Sequence, residues 1–395
     1  MVAPPGGAQD RVRSARVPSG TVTLQVREIS RADHLAAIAD QPSVSFLQTP
    51  AWGDVKREWR AESLGWFDGD KLVGTGLVLY RQAPRIRRFL AYLPEGPAID
   101  WESAAATGLA RWLDPLVAHA RERGAFGIRM GPPVVVRRWD ASRIKAAIPD
   151  ESITGLHGVE PSVASEVGST LAEQLRAQGW RPPPDEEGFS AGQPRYVFQV
   201  PLHGRTEDDL LAGFNQLWRR NIKRSAKAGV TVEQGAGADL PAFHELYAET
   251  ARRDGFAPRP LLYFQGMWEA MTAESPDRIS LYLARHEGDL VAATIMIRVG
   301  RHAWYSYGAS STAKREVRGS NAVQWEMMRD ALAAGCSVYD LRGITETLDE
   351  NDPHVGLIRF KLGTGGEAVE YLGEWDLPVS KVLYTAFDLY MKRRS

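Results

Sequence analysis

The sequence predicts a mixed α/β protein built from two copies of one unit. The chain has 395 residues, more than one compact domain of ordinary size. An acidic-Gly-Asp turn precedes an apolar, β-branched run twice, in "DGDKLVGTGLVLYR" from Asp68 and in "EGDLVAATIMIRVG" from Glu287. After each run come a second strand pattern, an amphipathic helix pattern and a short apolar strand. We therefore expect two tandem domains.

Each element of the repeated unit has a local reason. The Gly-Asp turns are typical of hairpins, and "FLAYLPEGPAID" and "HAWYSYGASS" supply the second strands. The helix patterns end at Gly124 and Gly335, and the strands that follow end at Gly131 and Gly343. This order fits a GCN5-related N-acyltransferase (GNAT) fold better than a Rossmann fold, and no G-x-G-x-x-G or Walker motif occurs in a suitable place.

The boundary between the domains is expected near Gln193. The stretch "RAQGWRPPPDEEGFSAGQPR" is rich in proline, glycine and charge, as linkers are. We assign residues 21–192 to the first domain and 193–375 to the second, with the apolar segment 376–395 returning to the first. Residues 1–20 are expected to be disordered.

Composition excludes several classes of protein. A net charge of −1 argues against a general nucleic-acid coat or a polybasic membrane anchor, so an anionic partner must be met by a local patch. The single cysteine, Cys336, excludes an internal disulfide and a Cys-rich metal site, and its setting is that of a small buried residue. No signal peptide or membrane-spanning run is apparent. We expect a cytoplasmic protein with no metal and no cofactor.

A basic amphipathic helix is predicted in "FNQLWRRNIKRSAKAGV". Its apolar face carries Phe214, Trp218, Ile222 and Ala226. Its other faces carry five cations: Arg219, Arg220, Lys223, Arg224 and Lys227. Such a helix is either an ordinary solvated surface or a binding surface for RNA phosphates or an anionic membrane.

One lysine stands apart in "GLIRFKLGTGG", which begins at Gly356 and is typical of a strand that leads into a flexible turn. The chain has only nine lysines against thirty-nine arginines. In so arginine-rich a chain a lysine is less often a neutral choice, so Lys361 is a candidate functional residue.

Five segments carry a resemblance to a known family. They are "SFLQTPAWGDVKREW", "WRRNIKRSAKAGV", "RRDGFAPRPLLYF", "VYDLRGI" and "GLIRFKLGTGGEAVEYLGEWDLP". The chain resembles the Fem family of aminoacyl-tRNA-dependent peptidyltransferases, of the FemX/FemAB type, which form peptidoglycan interpeptide bridges. The resemblance implies two GNAT-like domains, which agrees with the duplication. It also implies attack of a stem-peptide amino group on the ester of aminoacyl-tRNA, a reaction that needs positioned charge more than a protein nucleophile.

The resemblance implies roles for individual residues. Lys361, after Phe360, matches a family lysine near the tRNA acceptor end, and Tyr305 and Tyr307 are weaker matches to residues lining the site. It implies that Lys56 and Arg259, with Trp52 beside them, bind the diphosphate of the precursor. It also implies that the basic helix binds tRNA. The implied partners are aminoacyl-tRNA, a UDP-linked or lipid-linked muropeptide and the inner membrane face, with the protein acting as a monomer.

The chain also departs from the family pattern. Gly131 stands where some members have an acidic residue, which leaves a general base unassigned, and the long helical arm of some members is absent. Asp340 in "YDLRG" is expected to be a structural acceptor rather than a base. Three alternatives stay open: the same chemistry on a peptide antibiotic or another amine, an acyl-CoA N-acetyltransferase, and a non-catalytic RNA-binding or immunity protein with this fold.

Overall fold

The computed structural model describes residues 24–39, 41–150, 152–183, 192–349, 352 and 355–392, with the backbone alone at 392. Residues 1–20, which the sequence predicts to be disordered, lie outside this range. The described chain forms two β-sheets covered by helices.

The first sheet has six strands in the spatial order β1-β2-β3-β4-β5-β15. In chain order they are β1 (Gln25–Glu28), β2 (Arg60–Asp68), β3 (Lys71–Gln82), β4 (Phe89–Leu93), β5 (Ala125–Met130) and β15 (Trp375–Pro378). The predicted hairpin is present, because Asp68 pairs with Lys71 across Gly69, whose φ is +60°. The pair β4–β5 is parallel, and the others in the sheet are antiparallel.

The second sheet has nine strands in the spatial order β7-β6-β14-β8-β13-β12-β11-β10-β9. They are β6 (Val135–Asp140), β7 (Val163–Ala164), β8 (Tyr196–Pro201), β9 (Thr231–Gly235), β10 (Ile279–His286), β11 (Asp289–Val299), β12 (His302–Ser310), β13 (Val338–Gly343) and β14 (Glu367–Tyr371). Here β12–β13 is the parallel pair among the described strands.

Thirteen helices of the described chain pack on these sheets. They are α1 (Arg31–Ala39), α2 (Pro50–Val55), α3 (Trp101–Thr107), α4 (Ala110–Glu122), α5 (Ala141–Ala147), α6 (Glu166–Ala177), α7 (Glu207–Gly213), α8 (Gln216–Lys227), α9 (Leu240–Asp254), α10 (Leu261–Glu274), α11 (Gly319–Ala333), α12 (Val355–Leu362) and α13 (Lys381–Lys392). Among them, none combines the length and apolar character that crossing a bilayer requires.

The duplicated unit predicted from the sequence is present in both halves. Antiparallel strands β2 and β3 lead through β4 and α4 to β5, and antiparallel strands β10 and β11 lead through β12 and α11 to β13. In each half the last two strands are the parallel pair. The fold is therefore two tandem GNAT-like units, and no coiled-coil arm occurs in the described chain.

Strand pairing crosses the expected boundary near residue 193. Strands β6 and β7 precede that point in the sequence but belong to the second sheet, where β6 pairs with β14. In the other direction, β15 returns to pair with β5 of the first sheet. The two units also share a buried cluster in which Leu77 and Leu79 of β3 join Ile295 of β11.

The segment around Lys361 differs from its sequence-based expectation. It was predicted as a strand, but it is the end of helix α12 and a turn that leads into β14. Val355, Ile358 and Leu362 recur at helical spacing and are buried, and this burial decides the helix.

Candidate active site

Lys361 lies in the last turn of α12 and is only 3% exposed. Its Nζ donates hydrogen bonds to the main-chain oxygens of Arg342 (3.2 Å) and Gly343 (2.6 Å) at the end of β13. Burial lowers the pKa of Lys361 to about 7, while the charge of Asp340 opposes this effect and that of Arg342 adds to it. Near neutral pH the amine therefore exists in both charged and neutral forms, which suits a proton donor.

The carbonyls that hold Lys361 lie at an irregularity in β13. Pairing with β8 passes from Asp340 opposite Gln199 to Gly343 opposite Val197, so β13 has an extra residue there. Arg342 in this bulge has a φ of +62°, in the left-handed region. The two neighbouring carbonyl oxygens that accept from Lys361 Nζ therefore lie at this bulge.

Asp340 accepts hydrogen bonds inside the second sheet. Gln199 Nε2 donates to its Oδ2 (3.0 Å), the main-chain N–H of Arg342 donates to its Oδ1 (2.6 Å), and His302 Nε2 lies 3.5 Å from Oδ2. Burial alone would raise the pKa of Asp340, but the hydrogen bond and charge of His302, with Arg342 and Gln199, hold it below its ordinary value. An acid with a lowered pKa and several donors has the properties expected of a structural acceptor.

The guanidinium of Arg342 joins the two units. Its Nη1 donates to Glu95 Oε1 (2.9 Å), just after β4, and its Nη2 donates to Gln193 Oε1 (3.0 Å). Glu95 also accepts a hydrogen bond from Ser45 Oγ (2.5 Å) and has a φ of +47°. Two ion-paired residues in the left-handed region cost about 1–3 kcal/mol each, and such strain is concentrated at functional sites.

A carboxylate does face Gly131, although Gly131 itself offers none. A Cβ on Gly131 would lie 3.3 Å from Cγ of Glu374, and both residues line a small cleft with Glu95, Gln193 and Tyr371. Tyr92 Oη donates to Glu374 Oε1 (2.6 Å). Burial raises the pKa of Glu374 against the opposing effects of Arg129 and Tyr92. The cleft therefore holds a second carboxyl group, which comes from the turn between β14 and β15.

The basic helix α8 is docked directly on the Lys361 segment. Trp218 Nε1 donates to the carbonyl oxygen of Phe360 (2.9 Å), and the two rings lie 4.8 Å apart. The main-chain N–H of Asn215, just before α8, donates to the oxygen of Gly363 (2.9 Å). Phe360 thus packs on the helix rather than projecting freely, and it joins the basic helix to Lys361.

The five cations predicted on α8 are all exposed: Arg219, Arg220, Lys223, Arg224 and Lys227. Arg219 donates to the carbonyl oxygen of Ala212 (3.2 Å), and among the described residues no carboxylate forms a salt bridge with any of the five. The helix therefore presents uncompensated positive charge next to Lys361.

A second cluster forms where α2 meets α10. Lys56 Nζ lies 5.3 Å from the ring centroid of Trp52 and 5.5 Å from that of Tyr263, and Arg259 Cζ lies 5.4 Å from the same Tyr263 ring. Burial, then the charge of Arg259, lowers the pKa of Lys56 against the opposing charge of Glu58. Two cations that share an aromatic ring form a site suited to an anion.

A bulge separates the two predicted tyrosines of β12. Tyr307 pairs with Ile295 and Tyr305 pairs with Met296, so Ser306 is the extra residue and the tyrosines face different clusters. Tyr307 joins the Lys56 cluster through an Oη–Oη distance of 3.1 Å to Tyr263. Tyr305 packs against the other buried cluster, and burial raises its pKa to about 12. The structure thus brings Tyr307, but not Tyr305, to the anion site.

Comparison with known proteins identifies the family to which the chain belongs. The sequence matches the FemAB family over residues 29–287 and 283–392. The chain belongs to the FemAB family. Relatives include the lipid II:glycine glycyltransferases of Staphylococcus epidermidis, 22% identical over 424 residues, and of Staphylococcus haemolyticus, 23% identical over 427 residues. Each alignment covers 91% of this FemAB-family chain and 94% of the relative.

Solved structures support the fold of this FemAB-family protein. A crystal structure of FemX superimposes with a TM-score of 0.76 at 22% identity, covering 92% of this chain and 99% of FemX. A tandem GNAT protein from the clavulanic acid biosynthesis pathway gives a TM-score of 0.50 at 12% identity, covering 90% and 98%. The family and the tandem GNAT-like fold predicted from the sequence are confirmed.

Four residues of this FemAB-family site were missed by the sequence analysis: Tyr263, Arg342, Glu95 and Glu374. Tyr263 follows Arg259 by four residues in "RPLLYF", but Arg259 precedes Pro260 and lies outside α10, so no helical spacing connected the two. Arg342 lies near the end of β13, and the bulge that holds it has no local sequence signature. Glu95 gains its role only from contacts with distant residues.

Proposed function

We propose that this FemAB-family protein transfers an amino acid from aminoacyl-tRNA to an amino group on the stem peptide of a peptidoglycan precursor. One observation carries the proposal: buried Lys361 adjoins an exposed basic helix on one side and, through Arg342, the interface of the two units on the other. The names of the relatives, lipid II:glycine glycyltransferases, support an acyltransferase of cell-wall bridge formation.

The donor site in this proposal lies at α8 and the turn after Lys361. The five exposed cations of α8 meet phosphates of the tRNA, releasing counterions as they do so. Phe360, held by Trp218, places the end of α12 beside that helix. An RNA bound along α8 would then bring its acceptor end near Lys361.

The acceptor site lies at Lys56, Arg259 and Tyr263. A diphosphate suits one ammonium and one guanidinium on either side of an aromatic ring, because the first supplies a point charge and the second a planar fork of donors. Trp52 and Tyr307 line the same cluster. Glycan and stem peptide would extend from there along the interface between the units.

The chemistry needs no protein nucleophile. The acceptor nitrogen attacks the ester carbonyl carbon, a C–N bond forms, and the C–O bond to the ribose breaks. The nitrogen loses a proton and the departing ribose oxygen gains one. Lys361 in its charged form donates to that oxygen, because a pKa of about 7 makes it a better acid than an exposed lysine.

The test is incubation of the full chain with a panel of charged tRNAs and with both lipid-linked and nucleotide-linked precursors, followed by mass analysis. We expect a precursor that is heavier by one or more amino acid residues. It should form under conditions like those of the cytoplasm and without any added cofactor. If no pair yields product and acetyl-CoA is consumed with an amine acceptor, the protein is an N-acetyltransferase and the proposal is wrong.

A further inference from the structure

Helix α13 carries apolar side chains on two faces. On the inner face, Leu383, Tyr384 and Phe387 pack against the first sheet, where the rings of Phe387 and Phe126 lie 5.1 Å apart. On the outer face, Val382 and Leu389 are 80% and 52% exposed. These two residues are seven apart and so lie on the same side of the helix. Because the inner face is already packed, the apolar outer face of α13 is available for a contact with a further partner.

The turn between β3 and β4 lies beside this helix and is basic. Ala83 and Leu90, which flank the turn, belong to the same buried cluster as the inner face of α13. At its tip Ile86 is 40% exposed, between exposed cations. The α13 face is defined here by the apolar Ile86, Val382 and Leu389 and the cationic Arg85, Arg87, Arg88 and Lys381.

We propose that the α13 face binds the surface of a membrane that contains anionic lipids. Exposed aliphatic side chains enter the boundary between headgroups and acyl chains, and the cations around them meet lipid phosphates. Asp388, the acidic residue of α13, has an interaction partner of its own. The face combines the two terms on which interfacial binding depends.

Charge distinguishes this partner from the alternatives. A two-fold dimer through the α13 face would bring the cations of one copy against the same cations of the other. A nucleic acid would contact the arginines through its phosphates but would leave the exposed aliphatic side chains without an apolar partner. An anionic bilayer satisfies both parts of the face.

The inner side of α13 lies near the segment that carries Lys56. The Arg81 guanidinium lies 5.8 Å from the ring centroid of Phe387 in α13 and 5.5 Å from that of Trp59, three residues after Lys56. Two further exposed apolar residues, Phe256 and Leu262, flank Arg259. The proposed diphosphate site therefore lies near the helix that carries the α13 face. This link to the acceptor rests on the proposed function, whereas membrane binding itself does not.

The experiment is co-flotation of the full chain with vesicles of phosphatidylcholine alone and of phosphatidylcholine mixed with phosphatidylglycerol. We expect binding to the mixed vesicles that weakens with salt. The double variant Val382→Glu/Leu389→Glu should bind about tenfold more weakly or worse, and Arg85→Gln/Arg87→Gln/Arg88→Gln should also lose affinity. The matched control is Val163→Glu, a residue 52% exposed on β7 of the second sheet, and it should bind like the unmodified chain.

Several results would overturn the inference. The first is that the unmodified chain does not bind the mixed vesicles. The second is that the double variant and the control bind them equally. If vesicle binding is absent while sedimentation finds a dimer that the double variant loses, the face belongs to a second copy. Circular dichroism of each variant checks folding. Aminoacyl transfer to a nucleotide-linked precursor, measured without vesicles, tests the proposed function separately.

Discussion

At the scale of single residues, the site depends on a lysine that the fold keeps away from water. Lys361 is held by two carbonyl oxygens and not by a carboxylate, so burial dominates its ionisation. A surface lysine would be almost fully charged and a poor acid. The environment, rather than the residue type alone, makes Lys361 suited to protonate a departing oxygen.

The lowered pKa of Lys361 predicts a pH-dependent stability. Between about pH 7 and pH 10.5 the unfolded chain binds more protons at this residue than the folded chain does. The free energy of unfolding should therefore rise with pH in this window, by up to about 1.4 kcal/mol per pH unit relative to Lys361→Met. Urea denaturation of both proteins at several pH values measures it. A difference that does not change with pH would contradict the burial of a titrating Lys361.

The anion site predicts a selective effect on the acceptor. Lys56→Met and Arg259→Gln should each raise the KM for the precursor by about 10–100-fold and leave the KM for aminoacyl-tRNA unchanged. Each change removes one positive charge that would contact the diphosphate. Steady-state kinetics with each substrate varied in turn measures this. Arg57→Gln is the matched control, since Arg57 adjoins Lys56 but is exposed and pairs with Glu269 at 3.4 Å. Equal effects of all three changes would contradict the assignment.

At the scale of elements, α8 and the turn after α12 act as one piece. Gly363 makes this possible, because a Cβ there would lie 2.1 Å from Cδ1 of Trp218. Trp218 therefore packs so closely on residue 363 that any residue with a Cβ would clash there. Gly363 in "LGTGG" thus serves close packing of the basic helix, whereas the sequence alone suggested flexibility.

Gly363→Ala should separate the two elements and destabilise the protein by about 1–3 kcal/mol. Gly356→Ala is the control, because a Cβ at that position of α12 meets nothing within 4 Å. An alanine there should be neutral or stabilise the helix by up to about 1 kcal/mol. Thermal and urea denaturation compare the two variants. If both behave alike, the packing of Trp218 on Gly363 is not as described.

The basic helix predicts a salt-dependent effect on the donor. Changing Arg220, Lys223 and Lys227 together to glutamine should weaken tRNA binding and reduce the slope of log affinity against log salt by about 2–3. Filter binding at several salt concentrations measures the slope. The control changes three exposed cations elsewhere, Lys71, Arg121 and Arg301, and should leave the slope unaltered. A slope reduced equally by both triple variants would mean that tRNA contact is spread over the surface.

At the scale of the whole molecule, local patterns predicted what is local. The Gly-Asp hairpins, the Gly-terminated helices and their order revealed the duplicated fold, because each depends on neighbours in the sequence. The crossing of β6 into the second sheet was not predictable, since strand pairing over such distances leaves no local pattern. The helix at Lys361 was missed because glycines outweighed an apolar spacing of only two turns.

The sequence analysis named the charged residues of the candidate site but did not predict the contacts that connect them. Lys56 and Arg259 came from the family resemblance, and Lys361 came from that resemblance and the scarcity of lysine. By contrast, the contacts of the left-handed Arg342 and Glu95, which join the two units, depend on a bulge and on tertiary structure. Tyr305 and Tyr307 looked equivalent at a spacing of two, and an inserted residue put them on different sides. Backbone irregularities decide this site, and single-sequence periodicity does not report them.

The most direct test of the account is the rate of amino acid transfer from charged tRNA to the precursor by Lys361→Met, measured beside the unmodified chain and Lys71→Met. Lys71 is an exposed lysine of the first sheet, so its loss controls for the general effect of removing a cation. We expect Lys361→Met to lower kcat by about 10²-fold or more, because a positioned donor to the departing oxygen is lost, and Lys71→Met to match the unmodified rate. Transfer by a folded Lys361→Met at the unmodified rate would contradict the central claim.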